Sequence, residues 1–282
     1  MKEFNDHLLV VGGSFAAAAL IMLAAGTALT PAPTPAVVEP AVIEAAGTNP
    51  AAPSSTEETA IAGLDRAAFG TEVRRYLLDN PEVIFEAVAE YERRTTAQQG
   101  EMDATLVEIN YDAIFNDGHS WVGGNPDGDI TLVEFMDYQC SFCRRAHPEV
   151  LQLLEQDGNI RFIVKEFPIL GPQSEVASRF AIAVHQLGGD DAYQQAHDAM
   201  MELEGAVTNE ALDEIAAGLN LDLDAVQARM NADEVTTIIE ENRALAQRLQ
   251  ISGTPTFVLE SELLRGFMPA DAMQQVADDL RG

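Results

Sequence analysis

The chain has 282 residues and two cysteines, which stand three positions apart as Cys140-Ser141-Phe142-Cys143. A sulfur pair at this spacing can cycle between dithiol and disulfide. As a staple it would constrain almost nothing, because the ring it closes is so small, so its worth is chemical. Strand-forming residues lead into it (Ile130-Thr131-Leu132-Val133-Glu134-Phe135), and a helical pattern leads out. A cysteine placed where a strand gives way to a helix meets unpaired N–H groups and the positive end of the helix dipole. That field favours thiolate over thiol. Cys140 is therefore expected to be an exposed nucleophile of low pKa, with Cys143 its buried resolving partner and the two sulfurs forming a redox-active disulfide.

Other residues could serve this pair. Glu134, in an apolar strand six residues before Cys140, would have a raised pKa if buried and could take the proton of the resolving thiol. Lys165, ending the next apolar run, offers a cation to partner it; exposed strand-end charges are the plainer alternative. Gly253-Thr254-Pro255 is a special turn, because proline in strands is confined to edges, first positions and bulges. Residue types alone leave its peptide bond as an ordinary trans one. His147, His185 and His197 lie on helical patterns without ligand spacing, and packing or surface roles are expected for them. Two cysteines and a neighbouring histidine are an incomplete zinc set, so no metal site and no cofactor are expected. The rival chemistry is soft: Cys140, Cys143 and Met136 could take Cu(I).

Strand, helix and a second strand (Ile160–Val164) make a right-handed βαβ unit, with the cysteines at a carboxyl strand end where open α/β sheets hold their chemistry. Helical patterning then fills about 173–249 before Thr256–Leu259 returns to strand. One α/β domain over 119–282 is thus expected to be split by a helical insertion. Before it, residues 63–118 read as amphipathic helices whose apolar stripe either packs on the main domain or self-associates into a homo-oligomer. Residues 31–62 form a Pro- and Ala-rich linker that cannot bury a core. Residues 1–30 carry an apolar run, Leu8 to Leu29, fitting a signal peptide or a membrane anchor. Either would export the folded part to the far side of the inner membrane. The formal charge of −30 excludes nucleic acid as a partner, since phosphate binding needs clustered Lys and Arg.

Thr131 to Cys143 resembles the active-site segment of exported DsbA-type thioredoxin-fold proteins. Lys165-Glu166-Phe167-Pro168-Ile169-Leu170-Gly171-Pro172, His197-Asp198-Ala199-Met200-Met201 and Gly253-Thr254-Pro255-Thr256-Phe257-Val258 continue the likeness in order. Arg75 to Val83 resembles the N-terminal helical segment of the ScsC-like branch, linked to copper tolerance. The resemblance implies a thioredoxin fold with an inserted helical domain, a periplasmic location, and thiol–disulfide exchange with protein substrates as oxidase or isomerase. It implies a membrane redox partner, DsbB-like or DsbD-like. It implies that Thr254-Pro255 is cis and, with Ser141 and Phe142, meets the substrate chain. It also implies that Glu134 and Lys165 form a charged pair beneath the dithiol. Ser141-Phe142 departs from the dipeptides of the best-known oxidases, so oxidant strength does not carry over.

Overall fold

A computed structural model describes residues 65–203 and 205–282; the expected leader and linker lie outside them. Two N-terminal helices, α1 (Arg66–Asp79) and α2 (Glu82–Ile109), are followed by the short α3 (Tyr111–Phe115). The sheet is built from β1 (Trp121–Gly124), β2 (Ile130–Met136), β3 (Ile160–Glu166), β4 (Thr256–Leu259) and β5 (Glu262–Arg265). Between β2 and β3 runs α4 (Ser141–Asp157), and α10 (Ala270–Arg281) closes the chain. Between β3 and β4 lie α5 (Pro172–Gly188), α6 (Asp190–Glu202), α7 (Asn209–Gly218), α8 (Leu223–Met230) and α9 (Asp233–Arg248). This is a thioredoxin fold with an inserted helical domain and an N-terminal helical segment.

The strand order is β1-β3-β2-β4-β5, with β2 and β3 parallel and the other pairs antiparallel. Successive strand side chains point to opposite faces. Leu132, Met136, Phe162, Val164, Phe257 and Leu259 accordingly enter one core, shared with α4, α5, α6 and α10. Val133, Phe135, Ile163 and Val258 enter a second core, closed by Val107 of α2, Ile114 and Phe115 of α3, and Leu245 and Ala246 of α9. Both faces of the central strands are covered, which is why β2 and β3 read as near-continuous apolar runs.

The N-terminal helices divide in two. The end of α2 packs on the sheet: Val107 is buried, and Arg265 of β5 donates to both Asp103 carboxylate oxygens at 2.6 and 2.9 Å. No residue of α1 is buried, and Phe69, Val73, Tyr76, Ile84, Phe85, Val88 and Tyr91 are exposed. None of the described helices is long and apolar enough to cross a membrane.

A candidate redox site at the strand–helix junction

β2 ends at Met136 and a tight turn delivers the first sulfur. The Cys140 N–H donates to the Asp137 carbonyl at 2.9 Å, while the Asp137 carboxylate accepts from the Gln139 N–H at 2.8 Å. Its other oxygen accepts from the N–H groups of Ile169 and Leu170, at 2.8 and 3.0 Å. Asp137 thereby pins the loop after β3 beside the cysteine turn. Cys140 is the N-cap of α4, in extended backbone conformation, so its sulfur lies over the unpaired N–H groups of the first turn.

Both cysteines are free thiols. Cys140 is less open than expected, only 6% exposed, and its sulfur lies 3.2 Å from the Thr254 carbonyl oxygen, a bond that only the protonated thiol can donate. Its pKa is brought down from 9.0 to about 5. The Cys143 thiol is the largest cause, as a donor to the Cys140 sulfur; burial opposes it; the Thr254 side chain and the N–H groups of Cys143 and Phe142 add to the lowering. Cys143, fully buried, is driven the other way by burial, by its bond to Cys140 and by the Glu134 charge. One sulfur is thus a thiolate at neutral pH and the other a thiol held behind it. Ser141 and Phe142 are exposed, with Phe142 at 52%, and Arg145 lies over the Phe142 and Phe267 rings at 5.5 and 4.4 Å. The Thr254–Pro255 peptide bond is cis, and Pro255 is buried.

Glu134 is 2% exposed and lies on the dithiol side of the sheet. Burial pushes its carboxyl up to about 8, and the charges of Cys140 and Glu166 add to the shift. Its Oε1 has no hydrogen-bond partner among the described residues. A proton can therefore move on or off Glu134 near neutral pH, and its charge is felt at both sulfurs.

The expected pairing of Glu134 with Lys165 does not form. In the parallel register Glu134 lies opposite Val164 and Phe135 opposite Lys165, so the two charges point to opposite faces of the sheet. Lys165 is fully buried on the far face, where its ammonium donates to the Ala113 carbonyl at 3.0 Å and to the Asp117 carboxylate. The neighbour of Glu134 is instead Glu166, whose Oε1 accepts from the hydroxyls of Tyr138 at 2.9 Å and Tyr193 at 2.7 Å. Tyr138 also lies 3.0 Å from His197 Nδ1. Burial raises Glu166 to about 7, against the two tyrosine donors. Sequence reasoning passed over Glu166, Tyr138 and Tyr193; a second carboxylate in phase with Glu134 on the neighbouring strand was the available signal. His147, His185 and His197 have carboxylate or hydroxyl neighbours that spacing along the chain did not disclose.

Likeness to known proteins follows the same geometry. Residues 131–281 match the DSBA-like thioredoxin domain, and residues 65–98 match the copper resistance protein ScsC N-terminal domain. The chain belongs to the DSBA-like thioredoxin family. A thioredoxin-like oxidoreductase from Silicibacter pomeroyi DSS-3 is 42% identical, with a TM-score of 0.58 over 61% of this chain and 98% of its own. BcfH of Salmonella enterica Typhimurium is 27% identical, with a TM-score of 0.66 over 80% of this chain and all of its own (100%). The thiol-disulfide exchange protein alpha-DsbA2 of Wolbachia pipientis is 27% identical, with a TM-score of 0.61 over 65% and 98% of the two chains. Among curated relatives, the match to Na(+)/H(+) antiporter NhaA 1 of Salinispora arenicola is 29% identical over 54% of this chain but only 23% of the antiporter. The chain thus spans about a quarter of the length of the first curated relatives it matches.

Proposed function

We propose that this protein is an exported thiol–disulfide oxidoreductase that exchanges disulfides with protein substrates. The observation that carries the reading is the opposed pair of sulfurs, Cys140 stabilised as thiolate at the start of α4 and Cys143 held as thiol behind it. In the oxidising direction a substrate thiolate attacks the Cys140 sulfur and the Cys140–Cys143 bond breaks. The electron pair leaves on Cys143, which takes a proton from the Glu134 carboxylic acid. A second substrate thiolate then attacks the substrate sulfur of the mixed disulfide and releases Cys140 as thiolate. In the reducing direction Cys140 attacks a substrate disulfide, Glu134 accepts the Cys143 proton, and Cys143 resolves the mixed disulfide. Ser141, Phe142 and Thr254 form the surface that receives the substrate chain, with Pro255 buried beneath Thr254.

A membrane redox partner, DsbB-like or DsbD-like, sets the direction by oxidising or reducing the pair. The exposed apolar residues of α1 and the first half of α2 join copies into a homo-oligomer, the arrangement that suits isomerisation. Lys165 takes part only as a buried support, since it faces away from the sulfurs. The Cu(I) alternative is weaker, because it needs both sulfurs as thiolates and Cys143 resists ionisation. Replacing Cys140 with Ser is expected to abolish insulin reduction and dithiol oxidation; retained activity would overturn the proposal. Light scattering on the full chain should give an oligomer that Phe85→Glu weakens, and a monomeric wild type would remove the isomerase branch.

A further inference from the structure

Behind the dithiol helix, α4 and α6 bring three ligating side chains together. His147 stands on α4, and His197 and Asp198 are adjacent on α6; one ligating atom from each lies within 4.8 Å of the other two. We propose that His147, His197 and Asp198 bind one divalent cation of the zinc class, at a site separate from the two sulfurs.

The spacing supports this directly. A tetrahedral ion with bonds of about 2.0–2.1 Å sets its ligand atoms about 3.3–3.4 Å apart. His147 Nε2 and Asp198 Oδ1 are already 3.4 Å apart. The third atom has at most about 1.4 Å to close, within reach of small side-chain rotations. His147 is 7% exposed, yet its Nε2 has no hydrogen-bond partner among the described residues. A buried imidazole nitrogen left unpaired beside a carboxylate is a cost that a cation removes.

The surroundings also prepare His197. The hydroxyls of Tyr138 and Tyr193 both donate to Glu166 Oε1, at 2.9 and 2.7 Å, so the Tyr138 oxygen is left to accept from His197 Nδ1 at 3.0 Å. With Nδ1 as the donor in that bond, Nε2 keeps a lone pair, an outer support of the kind usual for metal-bound histidine. Glu202 stands one turn beyond Asp198 on α6 and adds a second carboxylate on that side of the cluster. Two carboxylates one turn apart repel, and a divalent ion relieves them. Nitrogen and oxygen donors with no thiolate favour zinc over Cu(I). Asp198 is a third exposed, which leaves a side for entry.

The test uses the full chain carrying Cys140→Ser and Cys143→Ser, so that no thiolate competes and the result is independent of the redox reading. Calorimetric titration with Zn²⁺ should give one equivalent per chain, and Co²⁺ should show the visible bands of a tetrahedral site. His147→Gln and Asp198→Asn should each weaken Zn²⁺ at least about tenfold, and Tyr138→Phe should weaken it about 10–100-fold through His197. Asp198 is partly exposed, so Asp198→Asn remains informative if a buried histidine variant fails to fold. No saturable Zn²⁺ binding, or binding unaltered by Asp198→Asn, would overturn the assignment.

Discussion

Acidification should strip stability from the reduced protein by an amount that Cys140 sets. Its thiol titrates at about 5 in the fold against an ordinary value of 9.0. A depressed folded pKa contributes its full stabilisation above the unfolded value and none below the folded one, so the gain is lost as pH falls through 5. The whole span, 9.0 minus 5, is 4 pH units, or about 5 kcal/mol at roughly 1.36 kcal/mol per unit. At pH 7 only the part from 5 to 7 has accrued, about 2.7 kcal/mol. The disulfide form carries no thiolate, so the same free energy makes the redox couple about 60 mV more oxidising than that of an unperturbed dithiol. Urea unfolding of the reduced protein, compared with Cys140→Ser from about pH 4 to 9, reads this directly. The difference should rise from near zero to a few kcal/mol, and thiolate absorbance should titrate at about 5. A difference that stays flat across this range, with absorbance titrating near the ordinary 9.0, refutes the reasoning.

Three more outcomes are expected. Glu134→Gln should slow thiol exchange by about 10²-fold or more while leaving the Cys140 titration in place, because Glu134 is mostly protonated at neutral pH; stopped-flow exchange at an unchanged rate would sink the relay. Asp117→Asn strands the Lys165 ammonium in the core and should cost about 3–5 kcal/mol in urea. Burial opposes the Asp117 charge, but Lys165 and Ser120 hold its carboxyl down at about 2, so wild type should keep this advantage at neutral pH and lose it as pH falls through 2. Gly100 lies inside α2 with open space where a Cβ would go, so Gly100→Ala should add about 0.5–1 kcal/mol of stability, read as a higher urea midpoint; a lower midpoint contradicts it.

Local chemistry was legible in the residues, and long-range pairing was not. The sulfur pair, its strand–helix junction and the burial of Glu134 all follow from a few consecutive residues and their alternation. The partner of Lys165 does not, because Asp117 lies 48 positions upstream on the connection into β1. Counting strand positions could have separated Glu134 from Lys165, yet the register that places them on opposite faces exists only once β2 and β3 pair. β1 escaped notice because four residues, two of them glycine, carry too little pattern to read as a strand. Tyr138, Glu166 and the α6 pair Tyr193 and His197 come from three separate stretches, and only the four-residue spacing of Tyr193 and His197 hints at their network.

The anchoring of α2 has a geometric consequence. Asp103 is clamped by Arg265, Asn110 is bonded to Arg248 at 2.6 Å, and the helix runs 28 residues without a break. From Asp103 back to Phe85 is about 27 Å at 1.5 Å per residue. If copies join through those outer turns, each catalytic head stands off from the hub by roughly the width of a small folded protein. In the proposed oligomer α2 would act as a spoke, and its length would set the distance between the sulfur sites of neighbouring copies.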